Sequence, residues 1–550
     1  MPSPYHNPLG QHDRFSVSDS HISVTEREQL SQAAGTVGFY TFLSRILGLV
    51  RDMVVARFFG AGLVTDAFFV AFRIPNLLRR LFAEGSLTIA FIPVFTQYLS
   101  LKTREDAFKL AKVVLTLLSV LLVAVTVLGI LLAPWIVRIQ AFGFGNSGIR
   151  YELTVLLTRI TFPYILLISL VAFFMGVLNS MRHFAAPAAA PIFLNLGIIA
   201  STLWISPHFS EPIVGVAIGV LIGGILQVVL QIPWVLKKGL SLVPVWMPHH
   251  PAVKRIGVLM LPAIFGSAIY QFNQFIGTLL ASFLAEGSVS WLYYADRLVQ
   301  FPLGVFAIAI STAALPSLSR EVAQKDLGQF RDTLDHALRM VSFITIPSMV
   351  GLIVLGKLII QVFFERGAFG PDSTAMTYQA LLFYALGLWA FSGIRIMVSA
   401  FYAFQDTKTP VKVAFVTLMA NLILSLLLMG PLRHGGLALA LSIASSVQLT
   451  LLIFFLKRRL VEWEISPILL SVGRSLLASI VMGVGIYYVY SHGWVPNPQL
   501  GTGHLVFRLS ALVCMGVFIY FAASRILGCP ELSLIWNIFK QIPRKGKAES

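Results

Sequence analysis

From Ser44 to Glu84 the chain runs SRILGLVRDMVVARFFGAGLVTDAFFVAFRIPNLLRRLFAE, which sets Arg45, Arg51, Asp52, Asp66, Arg73, Arg79, Arg80 and Glu84 inside stretches otherwise apolar enough to span a membrane. An ionised side chain at mid-bilayer depth costs roughly 2.5–3.5 kcal/mol on insertion scales, so a cluster this dense needs a polar cavity or a charged ligand. A second group, YADRL, adds Asp296 and Arg297 much later in the chain. Counting Arg45, Arg51, Arg73, Arg79, Arg80 and Arg297 against Asp52, Asp66, Glu84 and Asp296 gives six positive and four negative charges. Guanidinium groups keep their protons and fork onto phosphate oxygens, so the surplus points to a phosphate or another multivalent anion as ligand.

Helical spacing turns this list into faces. Arg45 and Asp52 are seven residues apart and share a face, with Ser44, Gly48 and Arg51 on the i, i+4, i+7 line beside it. Asp66, Arg73 and Arg80 also repeat every seven residues, and Glu84 lies four beyond Arg80, which defines one inward face on the second helix. Simpler roles remain open for some members. Arg79 and Arg80 could snorkel to an interface, Arg57 is interfacial by position, and Asp66 could complement the dipole of its own helix. Arg159, Arg395 and Arg474 are intramembrane too, but no motif surrounds them.

The elements that must hold these charges follow from composition. With 57% hydrophobic and 12% charged residues among 550, the chain is an all-α polytopic membrane protein. Fourteen apolar runs are long enough to span, near residues 32–59, 64–98, 108–140, 150–180, 186–206, 212–236, 253–285, 288–318, 330–362, 375–403, 410–430, 434–456, 466–490 and 503–527. The second is long for one bilayer crossing, and Pro75 and Gly85 are expected to kink or break it. Lys and Arg concentrate in the connections after even-numbered helices, which places those loops and both termini in the cytoplasm. The net charge of +17 suits an anionic inner leaflet rather than nucleic acid, because the bases are scattered over loops.

The chain also repeats itself. Residues 295–319 lie on 71–97, setting Arg297 against Arg73 and, with one gap, Pro316 against Pro93; residues 179–195 lie on 405–421, setting Asn195 against Asn421. Two matches in the same order indicate duplication. The expected division is a polar leader (1–31), two pseudo-symmetric six-helix bundles (32–245 and 246–460), two added C-terminal helices (461–527) and a basic tail (528–550). The leader has no signal-peptide h-region, and the first helix is expected to serve as its own insertion signal.

Other chemistry finds little support. No Walker A sequence is present, the histidines show no metal-ligand spacing, and Cys514 and Cys529 make neither a disulfide framework nor a metal site. His249–His250 falls in a Pro-rich loop, and GFGNSG (143–148) looks like a turn. Neither a cofactor nor catalysis is expected. An exporter of drugs or of another lipid-linked glycan, and a membrane enzyme acting on polyprenyl phosphates, remain competing readings.

The stretch 44–95, the segment GSVSWLYYADRLVQFPLGVFAIAISTAALPSLS and the later AFYAFQDTKTPVKVA resemble the MurJ (MviN) group of bacterial lipid II flippases in the multidrug/oligosaccharidyl-lipid/polysaccharide exporter superfamily. The resemblance covers about residues 32 to 527. It implies a protein of the bacterial inner membrane that moves undecaprenyl-diphosphate-linked MurNAc-pentapeptide-GlcNAc to the outer leaflet for peptidoglycan synthesis. It also implies cavity charges at Arg45, Arg51, Asp66, Arg79 and Arg297, with Asp52, Glu84, Ser290 and Asp296 in support and Arg80 beside them. The last two helices would form a groove for the polyprenyl tail. Lipid II and membrane lipids are the expected partners, with cell-wall synthesis proteins beyond them and a monomer as the expected state. Without a nucleotide site, the cycle would draw on an ion gradient or the membrane potential.

Overall fold

The computed structural model describes residues 24–78, 88–460, 462–492 and 501–533. Arg79, Arg80, Glu84 and Gly85 therefore lie outside the described residues, as do most of the leader and the basic tail. The described residues are helical and contain no strand. In chain order the first half holds α1 (Val24–Phe59), α2 (Leu63–Leu78), α3 (Thr88–Leu101), α4 (Arg104–Leu131), α5 (Ala133–Gln140), α6 (Ile149–Thr161), α7 (Tyr164–Ser180), α8 (Ala185–Ala200) and α9 (Ile213–Lys237). The second holds α10 (Pro251–Ser282), α11 (Ser288–Pro302), α12 (Ile308–Ala323), α13 (Leu327–Phe363), α14 (Pro371–Leu386), α15 (Leu388–Ala403), α16 (Lys408–Leu432) and α17 (His434–Arg459), followed by α18 (Ser466–His492) and α19 (Thr502–Ile526). A π turn, Leu303–Ala307, joins α11 to α12.

Among the described residues ten helical stretches are long and apolar enough to cross a membrane, α6 with α7 and α11 with α12 each forming one, or eleven if the pair α14–α15, bent by 42°, counts as one span. Of the fourteen expected spans, those formed by α1, by α2 with α3, and by α10 fall outside that number. α2 runs through Pro75 to Leu78 without ending there. Many large apolar side chains on the outer helix faces are exposed, Phe507 and Phe518 of α19 among them, as lipid contact requires.

The internal repeat is visible as packing. α1 packs on α8 and α10 on α16; α8 pairs with α9 and α16 with α17; α2 meets α6 and α11 meets α14. The aligned asparagines occupy the same joint in each half. Asn195 of α8 donates to the Ser44 carbonyl of α1 at 3.1 Å, and Asn421 of α16 donates to Asn273 of α10 at 2.8 Å. Away from water, a buried amide that finds such a partner fixes rotation and depth of both helices. α18 and α19 pack on α13 around Phe343, Leu355, Ile486 and Tyr520. Glu531, just past α19, ties that pair to α13 through Arg339 at 2.7 Å and takes a hydrogen bond from Ser471 of α18 at 2.8 Å. Arg474 donates to the Gly528 carbonyl at 3.0 Å. His250 caps α10, its Nδ1 accepting from the Ala252 N–H at 3.2 Å.

Close approach of α8 and α9 depends on glycine. A Cβ on Gly223 would lie 2.8 Å from the Leu194 Cα, whereas one on Gly473 of α18 would meet nothing within 4 Å. Gly223→Ala is expected to destabilise by about 1–3 kcal/mol, an overpacking cost that backbone cannot relieve. Gly473→Ala should be neutral or stabilising, through helix propensity. Thermal melting of the two purified variants in one detergent checks the contrast.

Candidate functional site

The charges of α1 and α11 meet at the joint between the halves. Arg51 is buried, and its Nε and Nη2 donate to Asp52 Oδ1 at 3.0 and 2.7 Å. Its Nη1 donates to Asn195 Oδ1 at 3.1 Å, so the amide that fixes α8 on α1 also fixes the guanidinium. Arg297 arrives from α11, its Nε 3.0 Å from Asp52 Oδ2, with 42% of its side chain exposed. One carboxylate, itself buried, therefore serves an arginine from each half. Asp52 holds Arg51, its neighbour in sequence, rather than Arg45, which shares its helical face seven residues away.

Tyr293, one turn before Arg297, is the hub that sequence reasoning passed over although it lies beside the quoted YADRL. Its hydroxyl accepts from Arg51 Nη2 at 3.2 Å and Arg297 Nη2 at 2.8 Å, and donates to Asp52 Oδ1 at 3.2 Å. Its ring stacks on Phe69 of α2 with centroids 3.8 Å apart. An aromatic at i−4 to an intramembrane arginine was the available signal.

Arg45 lies nearly two turns before Arg51 on α1, is exposed, and extends over Gly304 in the π turn. A side chain at 304 would collide with its guanidinium. π turns recur where a helix makes room for function, and here the room is taken by a charge from the other half. A cavity opens beside Tyr293 and Arg297, lined also by Phe69, Arg73 and Asn76 of α2, by Gln274 and Thr278 of α10, and by Asp296 of α11. Arg73 crosses it to donate to Thr278 Oγ1 at 2.6 Å. Asp296 accepts from Gln300 at 3.4 Å.

Asp66 and Ser290 stand apart from the cavity and seal the end expected to face outward. Asp66 is fully buried and accepts four hydrogen bonds: from the Gly287 N–H (2.8 Å), the Ser290 N–H (2.9 Å) and the Ser290 hydroxyl (2.7 Å), all at the start of α11, and from Arg150 Nη2 (2.9 Å). Asp66 lies in the first turn of its own helix, as expected, and its carboxylate also takes the N-terminus of α11. Arg150 lies 3.7 Å from the centroid of the Phe144 ring. The GFGNSG loop is thus more than a turn: Gly143 donates to Ser282 Oγ at 3.0 Å and fits against the Ser282 backbone, where no Cβ has space. Beside it the Ala368 N–H donates to the Arg57 carbonyl at 2.9 Å. Gly367, at φ +58°, packs on that same carbonyl, a backbone conformation and clearance that suit glycine. Arg79, Arg80 and Glu84 belong to the candidate set but fall outside the described residues.

Chemically, the joint offers forked donors from both halves around a single carboxylate, open on one side to a polar cavity. The arrangement suits binding of an anion with several oxygens. Among the described residues, no group of His, Cys, Asp and Glu could hold a metal ion.

Known proteins give the comparison. The family model described as "Lipid II flippase MurJ" matches residues 55–506. A relative from Vibrio cholerae serotype O1, named "Probable lipid II flippase MurJ", is 37% identical over 527 residues, covering 92% of this chain and 98% of its own. A solved structure described as "Lipid II flippase MurJ, inward closed conformation" superposes with a TM-score of 0.76 at 30% identity, over 89% of this chain and 98% of that one. An inward-facing multidrug resistance transporter of the MATE family, in the MOP superfamily, superposes with a TM-score of 0.66 at 13% identity, over 76% of this chain and 94% of that one, which shows a shared fold alone.

The seal makes its own prediction. Asp66→Asn replaces a charged acceptor with an amide that cannot accept from all its present donors, at a cost of about 1–3 kcal/mol or more. With Gly277→Cys as a reporter on the cavity wall and both native cysteines replaced, a membrane-impermeant maleimide added to intact cells should label the Asp66→Asn variant several-fold faster.

Proposed function

This chain belongs to the lipid II flippase MurJ family, and on that footing we propose that it carries lipid II from the inner to the outer leaflet of the bacterial inner membrane by alternating access. One observation supports the reading above others. Arg51 of the first half and Arg297 of the second converge on a common carboxylate and phenol at a cavity lined by both halves, while the exposed Arg45 reaches the π turn that follows α11. In this reading the three guanidinium groups receive the diphosphate, Arg73 and Asp296 face the sugar-peptide headgroup, and Asp66 with Ser290 closes the opposite end. Arg79, Arg80 and Glu84 complete the cavity. Residues 32–245 and 246–460 act as the two moving bundles, and the tail stays in lipid along 461–527. Both termini, with the leader 1–31 and the tail 528–550, lie in the cytoplasm.

The protein transports without catalysis or a cofactor, works as a monomer, and draws on an ion gradient or the membrane potential. Cell-wall synthesis proteins take over the delivered lipid. Occupancy biases the bundles only insofar as the arginines bind diphosphate differently in the two states.

In cells depleted of their own flippase, the chain should restore cleavage of lipid II by an externally added lipid II-degrading toxin, and Arg51→Ala or Arg297→Ala should abolish the restoration. No restoration despite membrane expression would favour export of another lipid-linked glycan. Arg51→Lys keeps the charge but cannot reach Asp52, Asn195 and Tyr293 together. It is expected to leave at most about a tenth of the activity, the cost of one lost charge-assisted bond.

A further inference from the structure

Asp52 presents both carboxylate oxygens to arginines, Oδ1 to Nε and Nη2 of Arg51 and Oδ2 to Nε of Arg297. The Tyr293 hydroxyl donates its one proton to Asp52 Oδ1 and accepts from Arg51 Nη2 and from both Nε and Nη2 of Arg297, which saturates it, while Asp52 Oδ2 meets Arg297 as an ion pair. Its ring cannot swing away freely, because Phe69 lies stacked against it. Two guanidinium groups from opposite halves are thus bridged by three protein oxygens, much as oxygens of neighbouring phosphates would bridge them. The charges are also left unbalanced. Arg51 and Arg297 carry two positive charges against the single negative charge of Asp52; counting also Arg73 and Asp296 of the cavity wall and Arg45 at the π turn gives four positive charges against two negative, a surplus of two. A diphosphate diester carries about two negative charges, one per phosphate.

The geometry points to Tyr293 and Asp52 as an internal stand-in for the diphosphate, which holds the arginines between transport events, gives way to phosphate oxygens on binding, and takes the arginines back on release. The inference rests on the lipid II reading and adds to it a positioning residue, Tyr293, that acts through Arg51 and Arg297. Its consequence is a trade of affinity for turnover. Without a resident competitor, forked arginines in a low-dielectric site would hold the ligand too long in the outward state. The same bonds also join α1 to α11, so phosphate that displaces them loosens the tie between the halves as it binds.

Tyr293→Phe removes the hydroxyl and keeps the ring on Phe69. The full-length protein and this variant would be compared for binding of undecaprenyl diphosphate and undecaprenyl monophosphate by native mass spectrometry, and for lipid II translocation in reconstituted vesicles. The expected result is about threefold to tenfold tighter binding of the diphosphate lipid, the worth of one hydrogen bond to a charged group removed from competition, together with slower translocation. Damage to the fold moves both quantities downward, and Tyr293→Ala, which also loses the stacked ring, calibrates that response. Weaker binding by Tyr293→Phe, or binding and translocation both unchanged, overturns the inference while the lipid II reading stands. If the unaltered protein fails to prefer diphosphate over monophosphate lipid, both fall together.

Discussion

A carboxylate buried between two helical bundles must be paired, and in this protein both carboxylates that matter are paired across the joint. Asp52 and Asp66 belong to the first half, and each accepts from arginine and from groups on α11 of the second. Desolvating either without its partners would cost several kcal/mol, so the halves can separate at one end only if replacement donors or water arrive. That constraint organises the rest: the asparagine joints that fix α1 and α8, the π turn that admits Arg45, and the glycines that let backbones meet at Arg57 and Ser282.

The two carboxylates differ in what could replace them. Asp66 is enclosed by four donors and does not line the described cavity, so its bonds exchange only when the halves move. Asp52 is itself buried, but its partners Tyr293 and Arg297 line the cavity and Arg297 is substantially exposed. A ligand can therefore compete at Asp52 without first breaking the seal at Asp66. This ordering, central exchange before outer opening, is what alternating access demands of a site reached from one side. The same helical framework occurs in a multidrug transporter at 13% identity, so the framework alone does not select the cargo. Side chains at the joint do.

Much of this was legible in the sequence, because membrane burial makes polarity conspicuous. Every intramembrane charge stands out against an apolar background, and the seven-residue spacing correctly gave Asp66 and Arg73 one direction: both reach the second half, the former to α11 and the latter to α10. The match of Asn195 with Asn421 foretold two equivalent joints. What the sequence hid was distance in the chain. Nothing around Arg150 in the sequence marks it, because its partner, Asp66, is 84 residues away. Tyr293 looked like one aromatic among many, since its importance lies in a hydroxyl whose partners come from α1. Ser290 and Asp66 appeared as cavity members, and only the backbone geometry at the start of α11 distinguishes a cap from a ligand contact.

Gly304 bears on how variation in such a chain is to be scored. Alanine in its place is the mildest exchange a substitution table offers, and within a helix it would ordinarily favour folding. The atoms it would meet are the far end of a flexible arginine, which can move aside at little cost to stability. Expression, melting temperature and membrane insertion would all report a healthy protein, while the guanidinium of Arg45 had left the place where the two halves meet. A catalogue of tolerated changes built on abundance alone would mark this position as permissive, and the space it protects would be missed because the residue that protects it contributes no side chain.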